Sequence, residues 1–97
     1  MAGDEPVPVT VRLPRTLVQV VGGERNIEAA GVTVAEALAD VVCRRPELAV
    51  HLFDESGQWR LNVLGVTDGV YRGRGESLDV PVAPGTEIAI VQAMSGG

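Results

Sequence analysis

The chain has 97 residues, enough for one compact domain and too few for two. Although 45% of the residues are hydrophobic, only Phe53, Trp59 and Tyr71 are aromatic, so the core has to come from Val, Leu, Ile and Ala, as in a small sheet with one helix. The net charge is −5 and the basic residues are dispersed arginines with no lysine, which argues against a nucleic-acid partner and leaves no side-chain amine for self-chaining.

The acidic start, Met1 to Glu5, lacks the basic and apolar regions of a secretory signal. No apolar run approaches the ~20 residues of a membrane span, so no membrane role and a cytoplasmic location are expected. Val7 to Leu13 then alternates, with Val7, Val9, Val11 and Leu13 on one face, which predicts a half-buried strand. Pro14 ends it. Leu17 to Val21 reads either as a loop with buried anchors or as a short strand, Gly22-Gly23 signals a turn, and Asn26 to Ala29 alternates again as a second strand.

Thr33-Val34-Ala35-Glu36 is the strongest local signal, a capping box in which Thr33 accepts from the first helical amides and Glu36 bonds back to the Thr33 amide. The helix that follows places Val34, Leu38, Val41 and Val42 on one stripe with Ala37 beside it. Asp40 and Arg44 are spaced for a surface pair, and Pro46 stops the helix. Cys43, the single cysteine, permits no internal disulfide and is expected to pack as a small hydrophobe.

Leu48 to Phe53 is an apolar connection, and Asp54 to Gly57 a polar loop. Leu61 to Thr67 resumes strand character, Asp68-Gly69 is a hairpin turn, and Val70 to Arg72 returns. Gly73 to Glu76 reads as a flexible stretch, Pro84-Gly85 as the last turn, and Thr86 to Met94 as the last strand. The order β, β, α, β, β, β is that of the α+β β-grasp, a mixed sheet of four to five strands curled on one main helix with its first and last strands parallel at the centre. Ile88 and Ile90 should then face the helix. Ala89 and Val91 would lie on the open face, either as a partner surface or as small apolar residues tolerated there.

The chain closes on Ser95-Gly96-Gly97. Two successive glycines form a thin, pliable thread, and Met94 to Gly97 fully extended would reach roughly 13 to 14 Å beyond the sheet. A single domain spanning 1–97, with 94–97 as a functional tail, could therefore dock outside a partner while its terminal carboxylate enters.

That ending after Ala93-Met94, with the segment Leu13-Pro14 to Gly22-Gly23 and the hairpin Val63 to Arg72, resembles the ThiS/MoaD group of prokaryotic sulfur carriers. The resemblance implies that a ubiquitin-activating-type adenylating enzyme, using ATP and magnesium that the carrier itself does not bind, forms an acyl-adenylate on Gly97. A sulfur donor protein then displaces AMP to leave a thiocarboxylate, which a sulfur-accepting biosynthetic enzyme consumes. Gly96, Ser95, Met94 and Ala93 would occupy the activating enzyme's channel. Thr67, Pro84-Gly85 and Gln92 depart from the pattern and leave the receiving pathway open: molybdopterin, thiamin, cysteine or a specialised metabolite.

A free-standing enzyme is disfavoured, since Cys43 and His51 are the only nucleophile and base of their kinds and fall on separate segments. No metal-ligand spacing occurs among the acidic loop residues. The competing reading is a ubiquitin-like protein modifier or a noncatalytic β-grasp interaction module.

Overall fold

The computed structural model describes residues 5–60 and 62–92. Five strands, β1 (Val7–Arg12), β2 (Asn26–Gly31), β3 (Val63–Thr67), β4 (Val70–Arg72) and β5 (Glu87–Gln92), form one sheet in the order β2-β1-β5-β3-β4. Only β1 and β5 run parallel, and they occupy the middle of the sheet. This is the β-grasp arrangement expected from the order of elements. Alternation explains the burial: Val9 and Val11 of β1, Ile27 and Ala29 of β2, Val63 of β3, and Ile88 and Ile90 of β5 all point to one side and are buried.

That side is covered by α2 (Val34–Arg44), whose Val34, Ala37, Leu38 and Val41 complete the core. Its N-terminus is fully accounted for. The Glu36 amide donates to Thr33 Oγ1 at 3.2 Å, the Ala37 amide to the Thr33 carbonyl, and the Val34 and Ala35 amides to the carbonyls of Val80 and Leu78. The connection between β4 and β5 is thus tied across the helix start. The Glu36 carboxylate accepts from the Val32 amide at 3.1 Å, one residue earlier than the capping-box expectation. At the other end Asp40 accepts from Arg44 and from the Ala30 amide, both at 2.9 Å, joining helix to strand. The Arg44 hydrogen bond is the main reason the Asp40 carboxyl titrates below its ordinary value.

Close approach fixes one glycine. A Cβ on Gly31 would sit 2.6 Å from the Ala37 amide nitrogen, so β2 and α2 pack at a distance that only glycine allows.

Three expectations need correction. Leu17 to Val21 is neither loop nor strand: Arg15–Val18 forms a short helical turn, α1, continued by a 3-10 turn over Gln19–Val21. Leu17 and Val21 are buried there, and Gly22, at φ 76°, closes the turn in the left-handed region. The apolar connection after α2 is likewise helical, with a 3-10 turn at Pro46–Leu48 and α3 at Ala49–Leu52 burying Leu48 and Leu52. Cys43 is exposed rather than packed. It follows the buried Val41 by two residues, about 200° round the helix, and so faces away from the core.

The polar loop after α3 is built on Asp54. Its carboxylate accepts from the Ser56 amide and hydroxyl and from the Gln58 amide, and pairs with Arg74. These bonds, the Ser56 hydroxyl first and Arg74 next, hold the Asp54 carboxyl far below its ordinary range. Arg74 also donates to the Trp59 carbonyl at 3.0 Å, so the stretch read as flexible is pinned to the loop before β3. Trp59 stacks on Phe53 with ring centroids 5.1 Å apart and packs over Gly65.

Candidate functional site

The residues assigned to the reactive end, Ala93, Met94, Ser95, Gly96 and Gly97, lie outside the described residues. What is described is the strand that leads to them. β5 is flanked by β1 for Thr10↔Glu87, Val11↔Ile88 and Arg12↔Ala89, and by β3 for Val66↔Ala89, Gly65↔Ile90, Leu64↔Val91 and Val63↔Gln92. Gln92, its last residue, takes a hydrogen bond from the Thr16 hydroxyl on α1.

Because side chains alternate, the face of β5 opposite the helix carries Glu87, Ala89 and Val91. The pairings place Arg12, Ala89, Val66 and Tyr71 in one row across four strands, with Leu64 and Val91 in the next row toward the C-terminus. Ala89 and Val91 therefore belong to a larger apolar surface. Tyr71 is 60% exposed, an unusual state for a large aromatic and one that suits a contact surface. Arg12 and Glu87, 4.0 Å apart, form a solvent-exposed charged rim on the β1 side. On the far side Leu64 leans over Gly73, where a Cβ would come within 2.6 Å of Leu64 Cδ2.

Leu64, Val66 and Tyr71 escaped sequence reasoning because β3 is apolar on both faces: Val63 and Gly65 are buried under the helix while Leu64 and Val66 are half-buried opposite. A run that ignores period 2 hides which residues look outward. The departure at Thr67 has a structural account, since its hydroxyl, on a buried residue, accepts from Arg72 at 2.8 Å within the hairpin. The hairpin turns at Asp68 and Gly69, with φ of 51° and 78°, the geometry that an Asp-Gly pair favours.

An open depression of about 620 Å³ lies on the helical side, lined mainly by Leu38, Ala39, Val42, Val50, Phe53 and Leu78. Its walls are mainly apolar; Asp54, Glu55 and Arg60 also line it, and the Asp54 carboxylate is engaged by the loop bonds described above. Cys43 and His51 are both exposed, on α2 and α3, and no hydrogen bond joins them. Among the described residues no group of three His, Cys, Asp or Glu side chains could hold a metal ion. No described helix is long and apolar enough to cross a membrane.

Among solved structures, SAMP1 from Haloferax volcanii superimposes with a TM-score of 0.78 at 25% identity, covering 93% of this chain and 99% of that one. A chain of the Amycolatopsis orientalis BexX/CysO complex is 29% identical with a TM-score of 0.75, over 92% of this chain and 99% of that one. Mycobacterium tuberculosis CysO, an antigen, shares the fold with a TM-score of 0.76 at 24% identity, over 89% of this chain and 99% of that one. No curated protein sequence matches significantly. The model of the ThiS family matches residues 11–97, from the end of β1 through Gly97, and a match of that extent on a β-grasp sheet means that the chain belongs to the ThiS family.

Proposed function

We propose that this protein is a sulfur carrier whose reactive group is the carboxylate of Gly97. The observation that carries this reading is the ThiS-family match running through the terminal diglycine. A carboxylate resists nucleophiles because both oxygens share its charge and neither can leave. An adenylating enzyme of the ubiquitin-activating type supplies the leaving group: one carboxylate oxygen attacks the α-phosphorus of magnesium-bound ATP, pyrophosphate departs, and an acyl-adenylate results. A sulfide equivalent from a donor protein then attacks the carbonyl carbon, the carbon–oxygen bond to AMP breaks, and a thiocarboxylate remains. Its ionised, polarizable sulfur is a good nucleophile at neutral pH and is passed to the acceptor enzyme.

The carrier's own contribution is delivery. Gly96, Ser95, Met94 and Ala93 occupy the partner's channel, while Ala89 and Val91 with Leu64, Val66 and Tyr71 dock against its outer surface. Burial of this apolar face supplies affinity without specifying chemistry, which suits a carrier that visits an activating enzyme and then an acceptor.

Intact-protein mass spectrometry after incubation with an activating enzyme, ATP and sulfide tests the assignment. The expected result is a mass gain equal to replacing one oxygen by sulfur, abolished by deleting Gly97; unchanged mass, or an equal gain in the truncated chain, would refute it. Similarity to SAMP1, the small archaeal modifier protein 1 of Haloferax volcanii, supports a second reading as a protein modifier. That reading predicts adducts joined through Gly97 to lysines of other proteins, since this chain has none to accept them.

A further inference from the structure

Strand β5 outruns its parallel neighbour. Its ladder with β1 ends at Arg12↔Ala89, whereas its ladder with β3 continues through Ile90, Val91 and Gln92. β1 stops because the chain turns away at Leu13 and Pro14 into α1. The last three residues of β5 are consequently paired by strand on one flank, and Gln92, whose side chain shares the helix-covered face with Ile88 and Ile90, is also held by a side chain: the Thr16 hydroxyl donates to Gln92 Oε1.

The support under Thr16 is firm. Leu17, next in sequence, is buried, its amide donates to the Pro14 carbonyl at 2.9 Å, the Leu13 amide donates to the Arg25 carbonyl at 2.8 Å, and the Gly23 amide closes on the Val18 carbonyl at 2.9 Å. A hydrogen bond from such a turn restrains its acceptor, because little of the turn can follow a displaced partner.

We infer that Thr16 and Gln92 are a positioning pair for the chemistry at Gly97: together they hold the end of β5 where the β1 ladder no longer reaches and so fix the point from which the chain leaves the sheet. This inference rests on the sulfur-carrier reading for its functional consequence, and on the strand geometry for the pair itself. The reacting carbon is five residues past Gln92, a span of at most about 17 to 18 Å, so the place where the strand end is held bounds the region that the carboxylate can reach. Reaction rates are sensitive to displacements of about 1 Å.

The test uses Thr16→Val, which keeps the shape and removes the hydroxyl, and Thr16→Ser, which keeps the hydroxyl. Amide hydrogen exchange of the full-length chain reads the pair directly, and exchange at Gln92 and Val91 should quicken about two- to tenfold in Thr16→Val while Thr16→Ser stays near wild type. Pyrophosphate exchange with an activating enzyme that adenylates the wild-type chain reads the consequence. There kcat should fall about two- to tenfold in Thr16→Val with KM for the carrier unchanged, and Thr16→Ser should recover it. Unchanged exchange and unchanged kcat would overturn the inference, as would a rise in KM alone, which would make Thr16 a contact residue. If no such enzyme adenylates the wild-type chain, the carrier reading and the consequence assigned to the pair fail together, whereas exchange at Gln92 still decides whether the pair holds the strand.

Discussion

Ile88 and Ile90 on one face of β5 are 0% and 3% exposed, while Ala89 and Val91, on the other face of the same strand, are only half-buried. Both sets are apolar and both sit at the centre of the sheet. The difference is what lies over them: α2 and its flanking turns cover the isoleucines, whereas Ala89 and Val91 share an open surface with Leu64, Val66 and exposed Tyr71. One face of the strand is therefore spent on stability and the other is available for recognition. Size follows use, since the covered face takes long branched side chains that fill a core and the open face takes smaller ones that cost little when wet.

Substitutions can separate the two faces. Ile88→Ala should give the largest effect, about 2 to 5 kcal/mol lost in denaturant unfolding, because it opens a cavity beneath the helix. Val91→Asp should cost about 1 kcal/mol in unfolding, less than Ile88→Ala, yet raise KM with an activating enzyme about tenfold, since it sets a charge in the proposed docking face. If Val91→Asp unfolds the protein and leaves KM alone, the assignment of the faces is reversed.

The next effect is smaller and belongs to the covered side. Thr33→Ala removes the acceptor for the Glu36 amide and should cost about 1 kcal/mol in thermal or chemical unfolding, with the KM of the surviving folded protein unchanged. Smallest is the pH dependence carried by the Asp54 loop. The Asp54 carboxyl is held below its ordinary value of 3.8, so the folded state binds that proton less readily than the unfolded chain does. Its stabilisation is present above pH 4 and is lost as acid lowers the pH through the folded-state value. Asp54→Asn should therefore shallow the acid limb of a stability–pH curve and leave the neutral-pH interaction with partners intact.

Much of this arrangement was legible in the sequence because local chemistry and tertiary demand agree. Thr33 and Glu36 mark the start of α2, Asp68-Gly69 marks the hairpin, and the two-sided apolar pattern of residues 87–92 marks a central strand. Where they diverge the reading failed. Val18, Val20 and Val21 favour a strand locally, but Leu17 and Val21 are both buried, and two consecutive helical turns place both there within the seven residues Arg15 to Val21. Cys43 was placed by residue type when its position on the helix decides exposure. The open face was half seen: Ala89 and Val91 follow from alternation within one strand, but Leu64, Val66 and Tyr71 join them only through the register between strands, which a linear sequence does not display.

The central claim is that the open face of the sheet, and not the apolar depression behind α2, receives the activating enzyme. Titrating isotopically labelled carrier with unlabelled enzyme and following amide and methyl resonances tests it in one experiment. The account predicts shifts or broadening at Leu64, Val66, Tyr71, Ala89 and Val91 with Ala39, Val42 and Val50 unaffected. Perturbation confined to Ala39, Val42 and Val50 would contradict it.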